Sequence, residues 1–326
     1  MNMRVSPIAT LRDRAHEIGL KSYSAFAGDC EPRVASPEGL ADLRIEWPAA
    51  YSWEPFAIWL NYLRTGLSSL TQVDEATHIR PPIRDCEVID VRWRGRIYPV
   101  VIDCGDTSSI DPALPGRVFL YFKMQFARSG YAHTNVVPGG YTPACGAGLF
   151  PMLPALRRLR DARRFAHEVH GRFGAAFGYD RRRPYLDALA NDDRFRFTGG
   201  FRMLRPSGFL TEVARARVLI DLPGQGDFCF RLVDYLAIGS CVVAARHGNR
   251  LPVELLDGRD IVLVDTPAEA ADACADLLRN PDRIEELAAN ARSYFDRHLS
   301  RRALAAHYLE QIVSRLMSEG DSWRAA

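Results

Sequence analysis

With 326 residues, 47% hydrophobic and 25% charged, the chain has the balance of a globular protein long enough for two domains. Its net charge of +2 gives no overall pull toward nucleic acid, and the basic residues are nearly all arginine, with lysine only at Lys21 and Lys123, as high-GC coding would produce. Seven cysteines without a CxxC pair point to reduced thiols in a cytoplasmic protein rather than disulfides or zinc, and neither an apolar run of ~18 residues nor a signal-peptide core is found.

Helical fragments over residues 8–20 open the chain. Leu43 to Trp47 reads as a strand. Residues 54–67 read as a helix with Phe56, Trp59, Leu60 and Leu63 on one side. The Trp47, Tyr51, Trp53 and Trp59 cluster suits core packing better than sugar stacking. Glu87 to Arg92 and Ile97 to Ile102 flank Trp93-Arg94-Gly95-Arg96, as a tight hairpin or as consecutive strands. The second run ends in Asp103-Cys104-Gly105-Asp106, and acids in a loop at the carboxyl end of a strand sit where α/β enzymes place chemistry. Strands at Val118 to Phe122 and Thr134 to Val137, with His133 in the loop between, close this half.

Pro138 to Pro154, rich in proline and glycine, reads as the domain boundary. The helical stretch Leu156 to Arg164 carries Arg157, Arg158, Arg160, Arg163 and Arg164. It is either a solvated face or a peripheral contact with anionic lipid. Ala166 to His170 reads as a strand, and Pro184 as the start of a helix exposing Arg181, Arg182 and Arg183. Val218 to Ile220 is a short apolar run of the kind a buried parallel strand needs. It stops at Pro223-Gly224-Gln225-Gly226, where small residues admit a ligand close to the backbone. Asp227 reads as the N-cap of a helix over residues 228–238. On that helix Arg231 and Asp234, three apart, are expected to project together into solvent. A helix start with fixed positive charge nearby favours an anion, and an acid one turn deeper can accept from two vicinal hydroxyls. An ordinary surface ion pair explains the same spacing.

Arg231-Leu232-Val233-Asp234, followed by Leu236, Gly239 and Val243, resembles the donor stretch of exostosin-like glycosyltransferases, in which Arg-Leu-(aromatic or aliphatic)-Asp precedes Gly-Cys and then Pro-Val. It is also similar to the Glu-Ala-(Leu or Met)-Ala-x-Gly stretch of the wider GT-B class. Arg196 to Gly199, Gly208 to Arg217 and Asn135 to Tyr141 resemble other pieces of that class in its usual order, and the likeness covers residues 171–308. The resemblance implies an α/β chain of two Rossmann-like domains facing each other across a cleft. Residues 1–143 would be the acceptor domain and 144–300 the donor domain, with a helix over 301–326 crossing back to the first. It further implies a UDP- or GDP-sugar donor held by Arg172, Phe201, Gly224, Gly226, Asp227, Phe228, Arg231 and Asp234. Two positions depart from the pattern: Gly226 stands where retaining members have an acid, and Val242 where the exostosin pattern has proline.

Sugar transfer needs an acceptor hydroxyl activated by a base and a stabilised diphosphate leaving group. Without a DxD motif, the leaving group falls to arginine and the helix start, so no metal or other cofactor is expected. The missing acid favours inversion, with Asp106 and Asp103 the first choices as base and His133 the next. Two other classes stay open. One is a catalytically silent nucleotide-binding subunit. The other is a nicotinamide-dependent oxidoreductase, against which stands the lack of GxGxxG after an early strand.

Overall fold

The computed structural model describes residues 7–27, 30–40, 42–77, 81–320 and 322–323. A first sheet holds β1 (Arg44–Trp47), β2 (Gln72–Glu75), β3 (Cys86–Trp93), β4 (Arg96–Asp103), β5 (Leu120–Lys123) and β6 (Val136–Pro138), in the order β2-β1-β3-β4-β5-β6. Strands β4, β5 and β6 are parallel, as are β1 and β2, but β3 runs against both its neighbours. This unit is therefore mixed. The two readings open at Trp93 to Arg96 resolve into a hairpin. Arg94 and Gly95 both have positive φ (47° and 75°), the mirror-image turn whose twist matches paired strands.

The second sheet is wholly parallel. It contains β7 (His167–Arg172), β8 (Phe197–Gly200), β9 (Ala216–Asp221), β10 (Cys241–Ala245) and β11 (Val262–Val264), in the order β11-β10-β9-β7-β8. Its central strand β9 buries Val218, Leu219 and Ile220, so both faces are covered. Helices α4 (Tyr179–Ala190), α5 (Pro206–Ala214) and α6 (Phe230–Ile238) connect successive strands from β7 to β10. Helix α7 (Pro267–Arg279) and α8 (Pro281–Tyr294) follow β11. Pro184 does not open α4. The helix starts at Tyr179 behind Gly178, whose φ is 77°, and carries the proline inside.

The chain ends change sides. Helix α1 (Pro7–Ala27) lies against α3 (Leu153–Asp161) and α5, so it belongs with the second sheet and not with residues 1–143. Helix α9 (Arg301–Glu319) runs along α2 (Ala57–Ser68) of the first unit. Tyr308 stacks on Phe122 with centroids 3.9 Å apart, and Gly66 stands where any side chain would run into the Arg301 carbonyl. Trp59 on Phe230 (4.2 Å) and Tyr141 on Phe228 (4.0 Å) continue the seam, and one apolar cluster runs through both units. Burying a side chain of this size stabilises by about 1.5–3 kcal/mol. The units are thus joined over a wide base.

Candidate functional site

The loops leaving the carboxyl ends of β4 and β5 meet the turn leaving β9. Gln125 donates from Nε2 to the Phe228 carbonyl at 2.9 Å, and Asn249 donates from Nδ2 to the Tyr141 hydroxyl at 2.8 Å. A Cβ on Gly226 would stand 2.6 Å from the Asp106 carbonyl oxygen and would also strike Gln125 Nε2. Only glycine lets the two units approach this closely. Gly224 closes the same turn, its N–H donating to the Gly226 carbonyl at 2.9 Å.

At the amino end of α6 lies a cavity of about 240 Å³. The linker lines it with Ala144 and Cys145, the end of β7 with Arg172 and Gly174, and the first turn of α6 with Arg231. The segment after β8 supplies Arg202, Met203, Leu204, Pro206 and Phe209. Ligand pockets usually enclose ~300–1,000 Å³, so this cavity is smaller than one that encloses a whole ligand.

Arg231 and Asp234 do not project into solvent together. The Arg231 side chain is 12% exposed; its Nη2 donates to Asp221 Oδ1 at 2.7 Å and to the Leu222 carbonyl at 3.0 Å, and its guanidinium lies 4.6 Å over the Phe173 ring. Burial works against its charge, but the Asp221 carboxylate outweighs that and holds its pKa above the ordinary arginine value. Asp234 is fully buried, and its Oδ1 accepts from the Cys145 N–H at 3.4 Å. Burial raises its carboxyl to about 7, against the lowering effect of the Cys145 and Ala144 amides. Its Oδ2 has no partner among the described residues. A buried acid with an open lone pair, one turn inside a helix start, has the capacity to accept one further hydrogen bond.

Arg172 reaches the cavity and forks onto Glu212 of α5, with Nη2 to Oε1 at 2.8 Å and Nε to Oε2. Burial alone would raise Glu212, but the bonds from Arg172 and His170 hold it down to about 2. Two lining arginines thus arrive already matched to carboxylates. Arg202 is different: it is exposed at the rim and no described carboxylate pairs with it.

Several expected roles fall away on geometry. Asp227 does not cap α6, whose N-cap is Cys229 with no side-chain bond. Asp227 instead accepts from Arg181 at 2.6 Å and from the Gly248 N–H at 3.3 Å. Phe228 is consumed in the stack on Tyr141, and Phe201 stacks on Tyr179 (4.7 Å) against the second core. Asp103 is buried and accepts from Lys123 (2.7 Å), Tyr121 and the Gly105 N–H (2.8 Å), which leaves no room for an acceptor hydroxyl. His133 precedes β6, at the end of the sheet opposite Asp103 and Asp106. Asp106 is exposed beside the junction. Lost hydration, with Asp85 nearby, raises its carboxyl above the usual range despite Lys123.

The arginine-dense helix is not a solvated lipid face throughout. Arg157 is buried on Asp296 (2.6 Å) and the Ala237 carbonyl (2.8 Å), and Arg160 is buried on Glu285 (3.2 Å). Arg163 also reaches Glu285, at 3.4 Å.

A family model described as glycosyl transferase-like matches residues 152–318, just over half of the chain. The chain belongs to the glycosyl transferase-like family. The matched segment of this glycosyl transferase-like chain contains all of the second sheet and most of the cavity lining. No curated protein matches it. Among solved structures it is similar to HepE of Anabaena in complex with UDP and glucose, at 17% identity and a TM-score of 0.45, covering 62% of this chain and 65% of that one. It therefore spans just under two thirds of HepE. It is also similar to a glycosyltransferase from Rickettsia africae, at 11% identity and a TM-score of 0.45, covering 97% of this chain and 84% of that one.

Asp221, Glu212 and Arg202 were absent from the sequence-derived site. The rule that singled out Asp103, an acid closing an apolar strand run, applies equally to Asp221 after Val218 to Ile220. Glu212 and Arg202 gave no comparable signal.

Proposed function

We propose that the chain transfers a sugar from a UDP- or GDP-sugar to a hydroxyl of an acceptor, with inversion and without a metal ion. The observation that carries this reading is the cavity at the start of α6, where Arg172, Arg202 and Arg231 surround apolar walls of Met203, Leu204 and Phe209. In this reading the nucleobase takes the apolar wall and the diphosphate meets Arg202 and the helix start, with Arg172 and Arg231 behind. The leaving group is then stabilised by fixed cations, so no Lewis acid is needed. The ribose diol falls to Asp234 once the Ala144 and Cys145 amides release it, and α6 would work as the exostosin-like donor stretch it resembles. Asp106 takes the acceptor proton, because it is exposed at the junction and its raised pKa makes it the better base. The seven unpaired cysteines fit the cytoplasmic setting proposed for it.

A thermal-shift series tests the reading: UDP or GDP should stabilise the protein and NAD should not. Stabilisation by NAD alone would point to an oxidoreductase. A silent nucleotide-binding subunit is the second reading, favoured by Asp103 being fully engaged in the interior. Hydrolysis of a donor sugar without acceptor, lost in Asp106→Asn, separates an enzyme from such a subunit.

A further inference from the structure

The largest cavity among those described has no part in the donor site. It is a groove of about 1050 Å³ between α1, α3 and α5. Its floor is Gly19, Leu20, Ala155, Leu159 and Ala162, and its rim carries Arg158, Arg164 and Arg215, with no carboxylate among the described lining residues. Neighbouring acids are occupied elsewhere: Glu17 by Lys21 (2.5 Å), Asp13 by Arg205 (3.8 Å), Asp161 by Arg292 (3.2 Å) and Glu212 by Arg172 (2.8 Å). On α1, His16, Gly19, Tyr23 and Phe26 follow at three- and four-residue spacing, so they share one face. The first three line the groove, and Phe26, the next residue along that face of α1, stands 93% exposed. The Arg158 guanidinium lies 5.0 Å over the Tyr23 ring and also bonds its hydroxyl. Arg164 and Arg215 are exposed, with no described carboxylate partner.

We propose that this groove docks the chain on an anionic bilayer, with Arg164 and Arg215 on lipid phosphates and Tyr23 and Phe26 entering the interface. Charge selects the occupant: an apolar floor rimmed by unmatched guanidinium forks fits an amphiphile whose head is a phosphate. A projecting aromatic beside basic residues is the pattern of an interfacial helix. A second copy of the chain would have to bring carboxylates to three arginines across a 2-fold contact whose own rim has none. The proposal does not depend on the donor-site reading, since it concerns a different surface and is read by binding alone. Of the five arginines expected to meet lipid, Arg157 and Arg160 are buried, whereas Arg158 and Arg164 line this groove and stay in the proposal.

Co-sedimentation with vesicles of phosphatidylglycerol and phosphatidylcholine in equal parts, against phosphatidylcholine alone, tests it. The full chain should bind the mixed vesicles and not the neutral ones. The Arg164→Glu/Arg215→Glu pair should lower binding at least tenfold, and Phe26→Ser should lower it severalfold, with unchanged melting because all three side chains are exposed. Reversal of Arg84 and Arg94, exposed on the first unit, should leave binding as it was. Equal loss in that control pair would overturn the proposal by tracing the attraction to net charge. Equal binding to neutral vesicles would overturn it as well. So would a stable dimer in light scattering that Phe26→Ser dissociates, since the groove would then be a contact between copies.

Discussion

Nη2 of Arg231 lies 2.7 Å from Oδ1 of Asp221, a largely buried guanidinium on the first turn of α6 and a buried carboxylate on the last residue of β9. The guanidinium expected to wait for a ligand is therefore already part of the strand-to-helix joint. Removing one member of a buried pair strands the other's charge and costs about 3–5 kcal/mol. Arg231→Ala should accordingly lower stability as well as nucleotide affinity, and Asp221→Asn in the same chain should recover much of the stability but not the affinity. Urea unfolding and nucleotide titration of both variants check this; an Arg231→Ala protein as stable as the parent would refute the pairing.

Asp234 ties stability to pH. Its folded pKa of about 7 stands above the ordinary 3.8, so the folded chain keeps a proton that the unfolded chain releases between those values. The contribution is fully present below 3.8 and is lost as pH rises to about 7, a loss on the order of 4 kcal/mol. Asp234→Asn should flatten this part of the stability profile relative to the parent, as measured by urea midpoints across the range. Parallel profiles would mean that the carboxyl is not desolvated.

Asp106 is the only expected base that keeps an accessible carboxyl. Asp106→Asn should cut turnover by about 10²–10⁴-fold while leaving nucleotide affinity intact, the signature of a group acting on the acceptor proton. Single-turnover kinetics beside nucleotide titration would show the split, and a parallel loss of both would assign Asp106 to binding or to the junction instead.

Much of the second unit was readable in the sequence because its strands are buried on both faces. Val218 to Ile220 and Cys241 to Val243 are apolar runs that need no context, and Gly239 ends α6 at φ 84°. Edge strand β2 was missed because Gln72, Val73, Asp74 and Glu75 have one apolar residue among four and lie at the sheet margin. One cause of the errors is that exposure was inferred from residue type, yet Arg231 meets Asp221 and Arg160 meets Glu285, and each partner makes burial of the guanidinium tolerable. Local rules also misled at Asp227, whose place before a helix matches a cap but whose carboxylate is drawn away by Arg181 and Gly248.

The junction itself can be probed at Gly226. Alanine there would push its Cβ against the Asp106 carbonyl, 2.6 Å away, and against Gln125. Overpacking of this kind costs about 1–3 kcal/mol. Gly226→Ala should lower the melting temperature and also slow turnover, because Asp106 shifts with its loop. Calorimetry with a donor-hydrolysis assay tests both, and an unaffected variant would mean that the turn does not bear on the Asp106 loop.

The account turns on whether the cavity at the start of α6 receives the nucleotide. Isothermal titration calorimetry of UDP and GDP against the parent chain and Arg202→Glu decides it most directly, since this arginine lies at the rim, is exposed and pairs with no described carboxylate. Affinity for at least one nucleotide should fall at least tenfold with melting unchanged. Equal affinity in the two proteins would place the nucleotide elsewhere and contradict the donor-site assignment.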